Sequence, residues 1–138
     1  MKNMIHLLKL VGLVAWAGFT GHAAAHDDAT LATLKAPHGG QLRVAGGWHL
    51  ELVQKNGDAS GSTALIVYVT DHDGKATPTS GFKGSGTILA GKDKQSITFA
   101  PDGENRLKAN ALYDRGAKPK IVVTVHGDGK TEQARFAP

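Results

Sequence analysis

From residue 37 onward the chain is cut into short β-type runs, and no window of a dozen residues carries a good helical repeat. "GQLRVA", "WHLELVQ", "TALIVYVT", "GSGTILAG", "QSITFA", "NRLKANALY", "KIVVTVHG" and "TEQARFA" follow one another. Between them stand "NGDASG", "DHDGK", "GKDK", "PDGE", "DRGAKP" and "DGK", built from residues that turn the chain. Runs of this kind at a spacing of roughly 8–12 residues are the signature of a sandwich or barrel. "WHLELVQ" alternates cleanly, with Trp48, Leu50 and Leu52 on one face and His49, Glu51 and Val53 on the other. "TALIVYVT" has the β-branched and aromatic content of a buried strand. "ENRLKANALYD" comes nearest to a helix and reads as a strand. The expectation is an all-β fold over residues 37–138, a single immunoglobulin-like β-sandwich of about seven to nine short antiparallel strands.

The first 25 residues read as a secretory signal peptide. Lys2 opens a positive segment, "LVGLVAWAGF" (residues 10–19) is an apolar run, and Ala23 to Ala25 offer small residues for cleavage. The run falls short of the roughly 20 apolar residues that cross a bilayer. An uncleaved anchor is the competing reading of the same segment. Cleavage near Ala25 predicts an exported, periplasmic protein with no membrane span in the mature chain. Residues 26–36, "HDDATLATLKA", read as a polar lead-in.

Of 138 residues, 113 then remain, enough for one domain with a single core. Removing Lys2 and Lys9 from 16 basic residues leaves 14 against 12 acidic ones, so the mature chain carries a net charge of +2. No cluster of Lys and Arg is interleaved with aromatics, so no nucleic-acid partner is expected. There is no cysteine, and both methionines, Met1 and Met4, lie in the leader. A metal site in the mature chain would have to use imidazole, carboxylate or main chain.

Five histidines lie beyond residue 25: His26, His38, His49, His72 and His126. His49 and Glu51 leave one strand from the same face, about 7 Å apart at Cα, and with a third ligand could hold one ion. The same pattern fits a solvated polar face opposite the core. His38 sits in "PHGG", where two glycines permit a sharp turn. That turn either carries an incidental imidazole or lets the chain fold closely around a ligand. His72 is flanked by Asp71 and Asp73 in "DHDG"; the loop fits a polar turn or a weak cation site. It is not a calcium loop, since the twelfth position is Phe82 rather than an acid. His126 ends "KIVVTVHG" and reads as a strand-end histidine near solvent. His26 would be the first residue after cleavage at Ala25, or the third after cleavage at Ala23. Either start could chelate Cu(II) through the amine and imidazole, or simply leave a histidine at a loose terminus.

Catalysis finds little support. No serine lies in G-x-S-x-G, and H-E-x-x-H, a P-loop and a dinucleotide fingerprint are all missing from the sequence. The expectation is a non-enzyme.

The ordered segments "APHGGQL", "GGWHLELV", "VYVTDHDGK", "GTILAGKDK", "APDGENRL" and "GAKPKIVVTV" with "ARF" resemble a small periplasmic module associated with heavy-metal (RND-type) efflux systems. A similar "PHGG...LE" segment stands near the start of some periplasmic adaptor subunits of metal-exporting pumps. The likeness covers nearly all of residues 36–137. It implies a β-sandwich that handles Cu, Zn, Cd, Co or Ni, with ligand roles for His38, His49, Glu51 and His72. The chain has no coiled-coil hairpin, lipoyl-like half or membrane-proximal barrel of an adaptor, so the resemblance is to a free-standing module. The resulting expectation is a periplasmic metal-binding protein, Cu(II) or Zn(II) class, that buffers or delivers its ion. Its candidate ligands are His38, His49, Glu51, His72 and His26, and its candidate partner is an efflux adaptor. The competing expectation is a non-catalytic interaction module that docks an adaptor or another exported protein and has no specific metal site.

Overall fold

The computed structural model describes residues 28–138. The expected leader, its cleavage point and His26 lie outside the described residues.

The fold is all-β. Its strands are β1 (Gln41–Ala45), β2 (Trp48–Asn56), β3 (Thr63–Thr70), β4 (Lys83–Ala90), β5 (Asp93–Pro101), β6 (Arg106–Ala111), β7 (Lys120–Gly127) and β8 (Lys130–Phe136). They pair antiparallel in one sheet with the order β1-β2-β3-β6-β5-β4-β7-β8. The near-helical "ENRLKANALYD" supplies β6, whose Leu107, Ala109 and Ala111 alternate into the core. Period-two burial of apolar side chains outweighs helix propensity there.

β5 is the corner of the sheet. Residues 93–99 pair with β4, whereas Ala100 and Pro101 pair with Lys108 and Leu107 of β6. The sheet thereby folds over on itself around one core. Leu50, Leu65, Val67 and Leu107 come from one half, and Ile88, Phe99, Ile121 and Val123 from the other; all are buried. Each such side chain contributes about 1.5–3 kcal/mol by leaving water. The two ends of the sheet nearly meet: β1 lies against β8, and Gln41 Nε2 donates to the Ala137 carbonyl at 3.0 Å. Lys130 Nζ of β8 stands 5.9 Å from the centre of the Trp48 ring at the start of β2.

Two segments outside the sheet position the site. The polar lead-in contains a six-residue helix, α1 (Asp28–Thr33), which packs against β1. Helices this short do not hold in isolation, where about 12 residues are needed. Burial of Leu31, 1% exposed, anchors this one to the sheet. The second segment follows β3. Asp71 Oδ1 accepts from the amides of Asp73 (3.0 Å) and Lys75 (2.9 Å), and Gly74 takes φ +78°, closing a tight turn. The chain does not return as a full strand. It makes a single bridge, Thr70 to Ala76, and then crosses to β4. Thr79, fully buried, fixes this crossing: its amide donates to the Glu104 carbonyl (2.9 Å) and its hydroxyl to the Arg106 carbonyl (3.1 Å).

Candidate functional site

The strand pattern puts Trp48, Leu50 and Leu52 in the core, as read from the sequence. The opposite face of β2 is not solvated. His49 is 6% exposed and Glu51 is 2% exposed. The segment 34–38 and the turn around His72 stand over that face and form a pocket of about 330 Å³. Leu34, Pro37, Leu42 and Tyr68 give it apolar walls; His38, His49, Glu51 and His72 give it its chemistry. Register explains the grouping. Glu51 is paired with Tyr68 and Leu42, and His49 with Thr70 and Val44, so one face of three strands lines the floor.

Glu51 and the "PHGG" turn form one unit. Glu51 Oε1 accepts from the His38 amide (2.8 Å) and the Gly40 amide (3.0 Å). Oε2 lies 2.7 Å from His38 Nδ1. A carboxylate removed from water needs such partners, and here each oxygen has one or more. Both glycines are required. Gly39 has φ +76°, which L side chains rarely adopt, and a Cβ on Gly40 would collide with the Leu52 carbonyl oxygen. With Glu51 as a carboxylate, which only accepts, the contact requires the hydrogen on Nδ1 of His38 and leaves Nε2 as the lone-pair nitrogen of a neutral ring. The imidazole also lies flat on Tyr68, with centroids 3.6 Å apart and planes 2° from parallel. The ring is thus fixed at one edge and one face.

His49 and His72 form a second unit. His72 Nδ1 stands 3.4 Å from His49 Nε2, and the two rings are perpendicular (86°) with centroids 5.1 Å apart. His49 is set by β2, and His72 is set by the Asp71-capped turn. Among the described residues, no group of three or more His, Asp or Glu side chains is arranged to hold an ion together.

The chain has no counterpart among protein-family models, curated proteins or solved structures.

Four of the five sequence candidates, His38, His49, Glu51 and His72, therefore line one pocket, in two pairs, and the fifth, His26, lies outside the described residues. His126 lies apart on the β7–β8 hairpin, where its Nδ1 is 2.9 Å from Thr131 Oγ1. Sequence reasoning missed Tyr68 and the wall at Leu34, just past the end of α1. Tyr68 carried a usable signal, since it alternates opposite Val67 and Val69 and must share a face with Thr70. The wall did not, because the burial of Leu31 that anchors α1 is a tertiary effect.

Proposed function

We propose that this protein is a metal-binding protein of a periplasmic heavy-metal resistance or efflux system, taking a divalent ion of the Cu or Zn class and buffering or delivering it. The observation that carries the reading is the His49–His72 pair: two imidazole nitrogens from different elements, 3.4 Å apart, in a pocket. That separation is long for a hydrogen bond and suits two ligands of one ion. In this reading His49 and His72 are ligands. Glu51 orients His38, in the way an outer carboxylate fixes a metal-site imidazole. The resemblance of "PHGG", "HLELV" and "YVTDHDGK" to the efflux-associated module supports the same class. An immunoglobulin-like packing of the two halves of the sheet belongs to this proposal too.

Leu34 favours a second reading. It is 54% exposed beside the pocket, where an efflux adaptor or other exported protein could dock on it without any metal. Calorimetric titration of Zn(II) and Cu(II) into the untagged protein and into His49→Ala separates the two. The metal reading expects the variant to bind at least about tenfold more weakly, a loss of about 1.4 kcal/mol. Equal isotherms would remove His49 from the site.

A further inference from the structure

We infer that the outer face of β4, β5, β7 and β8 binds an acidic polysaccharide. This face lies on the other half of the sheet from the histidine pocket and stands independently of the metal reading. Ser85 of β4 is paired with Thr98 of β5 and Thr124 of β7, and Thr124 with Gln133 of β8. Two residues further along β4, Thr87 is paired with Ser96 and Val122. The intervening residues Ile88, Ile97 and Val123 are buried, so the hydroxyls leave from the opposite, outer face. Strands lie about 4.8 Å apart and alternate residues about 6.7 Å apart, so these polar groups form a two-dimensional grid. Gln133 Nε2 donates to Thr124 Oγ1 at 3.1 Å, which braces one side of it. The grid floors a shallow trough of about 360 Å³. Its signal in the sequence is the Ser-x-Thr repeat of "SGT" (85–87) and "SIT" (96–98) on adjacent strands.

Cations rim the grid. Lys94 and Lys120 flank Leu89 at one end, with their backbones two strand spacings, about 9.6 Å, apart. Arg135 is paired with Val122 along the β8 side. Lys83 is paired with His126 at the other end, about 20 Å along β4 from Leu89. All four cations are exposed, and none makes a salt bridge among the described residues. The acidic residues of the same strands, Asp93 and Glu132, alternate to the other face, and Asp128 lies in the β7–β8 turn. Four like charges on one face repel one another, and an anionic chain laid across them offsets that repulsion. Ser, Thr and Gln side chains both donate and accept, as sugar hydroxyls do. Carboxylate or sulfate groups on the same chain match the ammonium and guanidinium groups of the rim. A neutral glycan would leave that rim unused. Single-stranded nucleic acid stacks its bases on aromatic side chains, and none stands in these rows. A membrane surface would meet the cations, but its apolar layer would be offered only Leu89, 43% exposed, and the trough would stay unfilled.

Calorimetric titration of the untagged chain at about 0.15 M salt tests this with polygalacturonate, dextran sulfate, uncharged dextran, polyglutamate, single-stranded DNA and phosphatidylglycerol vesicles. The expected result is binding of at least one of the two acidic glycans, at least about tenfold tighter than any of the other four probes. Lys94→Ala/Lys120→Ala should weaken it about tenfold or more. Ser85→Ala/Thr98→Val, which keeps every charge, should weaken it about threefold or more. Lys55→Ala/Lys75→Ala, off this face, should leave it unchanged. No binding of either acidic glycan would overturn the inference. So would equal binding of dextran, which needs no rim, or of polyglutamate, DNA or vesicles, which need no grid. An unchanged isotherm in the lysine variant or in the hydroxyl variant would likewise remove the face from the site.

Discussion

Glu51 Oε2 and His38 Nδ1 stand 2.7 Å apart, and the other carboxylate oxygen of Glu51 accepts from the amides of His38 and Gly40. One buried side chain therefore fixes the conformation of a turn and the tautomer of its imidazole. Glu51→Ala strands two amides and one ring N–H. At about 1–3 kcal/mol per unsatisfied group, and with partial access to water, the variant should lose about 2–4 kcal/mol. Urea unfolding of the two proteins measures it. A loss below about 0.5 kcal/mol, the level of an ordinary surface change, would contradict the clamp.

Glu51→Gln tests the tautomer rather than the stability. The amide oxygen can still serve the two backbone donors, but its NH₂ then faces His38 Nδ1. The ring must present a lone pair there and move its hydrogen to Nε2. Nitrogen-15 NMR of the imidazole should show the Nε2–H form replacing the Nδ1–H form. An unchanged spectrum would mean that Glu51 does not set the ring.

The two glycines of "PHGG" should respond differently to alanine. Gly39→Ala meets nothing within 4 Å and suffers only from φ +76°, a cost of about 1–2 kcal/mol. Gly40→Ala drives its Cβ into the Leu52 carbonyl, which belongs to β2 and cannot swing aside. The second variant should be the less stable by denaturant midpoint, and it should also displace His38. A reversed order would show that β2 yields more easily than the backbone of the turn.

The extent of the sheet was legible in the sequence, and the covering of its outer face was not. Alternation alone assigned Trp48, Leu50 and Leu52 inward, because only one face of a pleated strand can reach the core. The same alternation suggested a wet face for His49 and Glu51. That failed because the segment 34–38, which follows α1, and the turn at His72 stand over β2, the first behind a helix anchored by Leu31 and the second shaped by the Asp71 cap. Neither the burial of one leucine in a six-residue helix nor the landing place of a turn is written in local periodicity. The pairing of His38 with Glu51, 13 residues apart, depends on where the "PHGG" turn crosses β2. Spacing could nominate both residues without joining them.

Tyr113 gives an alkaline signature distant from the pocket. Burial pushes its hydroxyl above the ordinary tyrosine value of 10.0, against smaller opposing effects from Thr63 and Arg115. The folded chain therefore holds this proton more tightly than the unfolded chain. Stability from this group is fully present below about pH 10 and declines as pH rises from there through the higher folded value. Tyr113→Phe should flatten that decline in urea unfolding between neutral and alkaline pH. An identical slope in the variant would assign the loss to other groups.

Metal binding should carry the opposite sign of pH dependence. Imidazole ligates only when neutral, so affinity should fall as the solution is acidified, with protons released on binding. Calorimetry in buffers of different ionisation heat counts those protons. Affinity flat from pH 7.5 to pH 5.5 would exclude imidazole ligation.

The most direct test of the account is a Zn(II) and Cu(II) titration of the untagged protein beside a His49→Ala/His72→Ala double variant. The account predicts binding at about 1 μM or tighter, near −8.2 kcal/mol, that is lost in the double variant. Binding no tighter than about 100 μM, or equal binding in both proteins, would contradict it and return the histidine pair to the role of pocket lining for a docked partner.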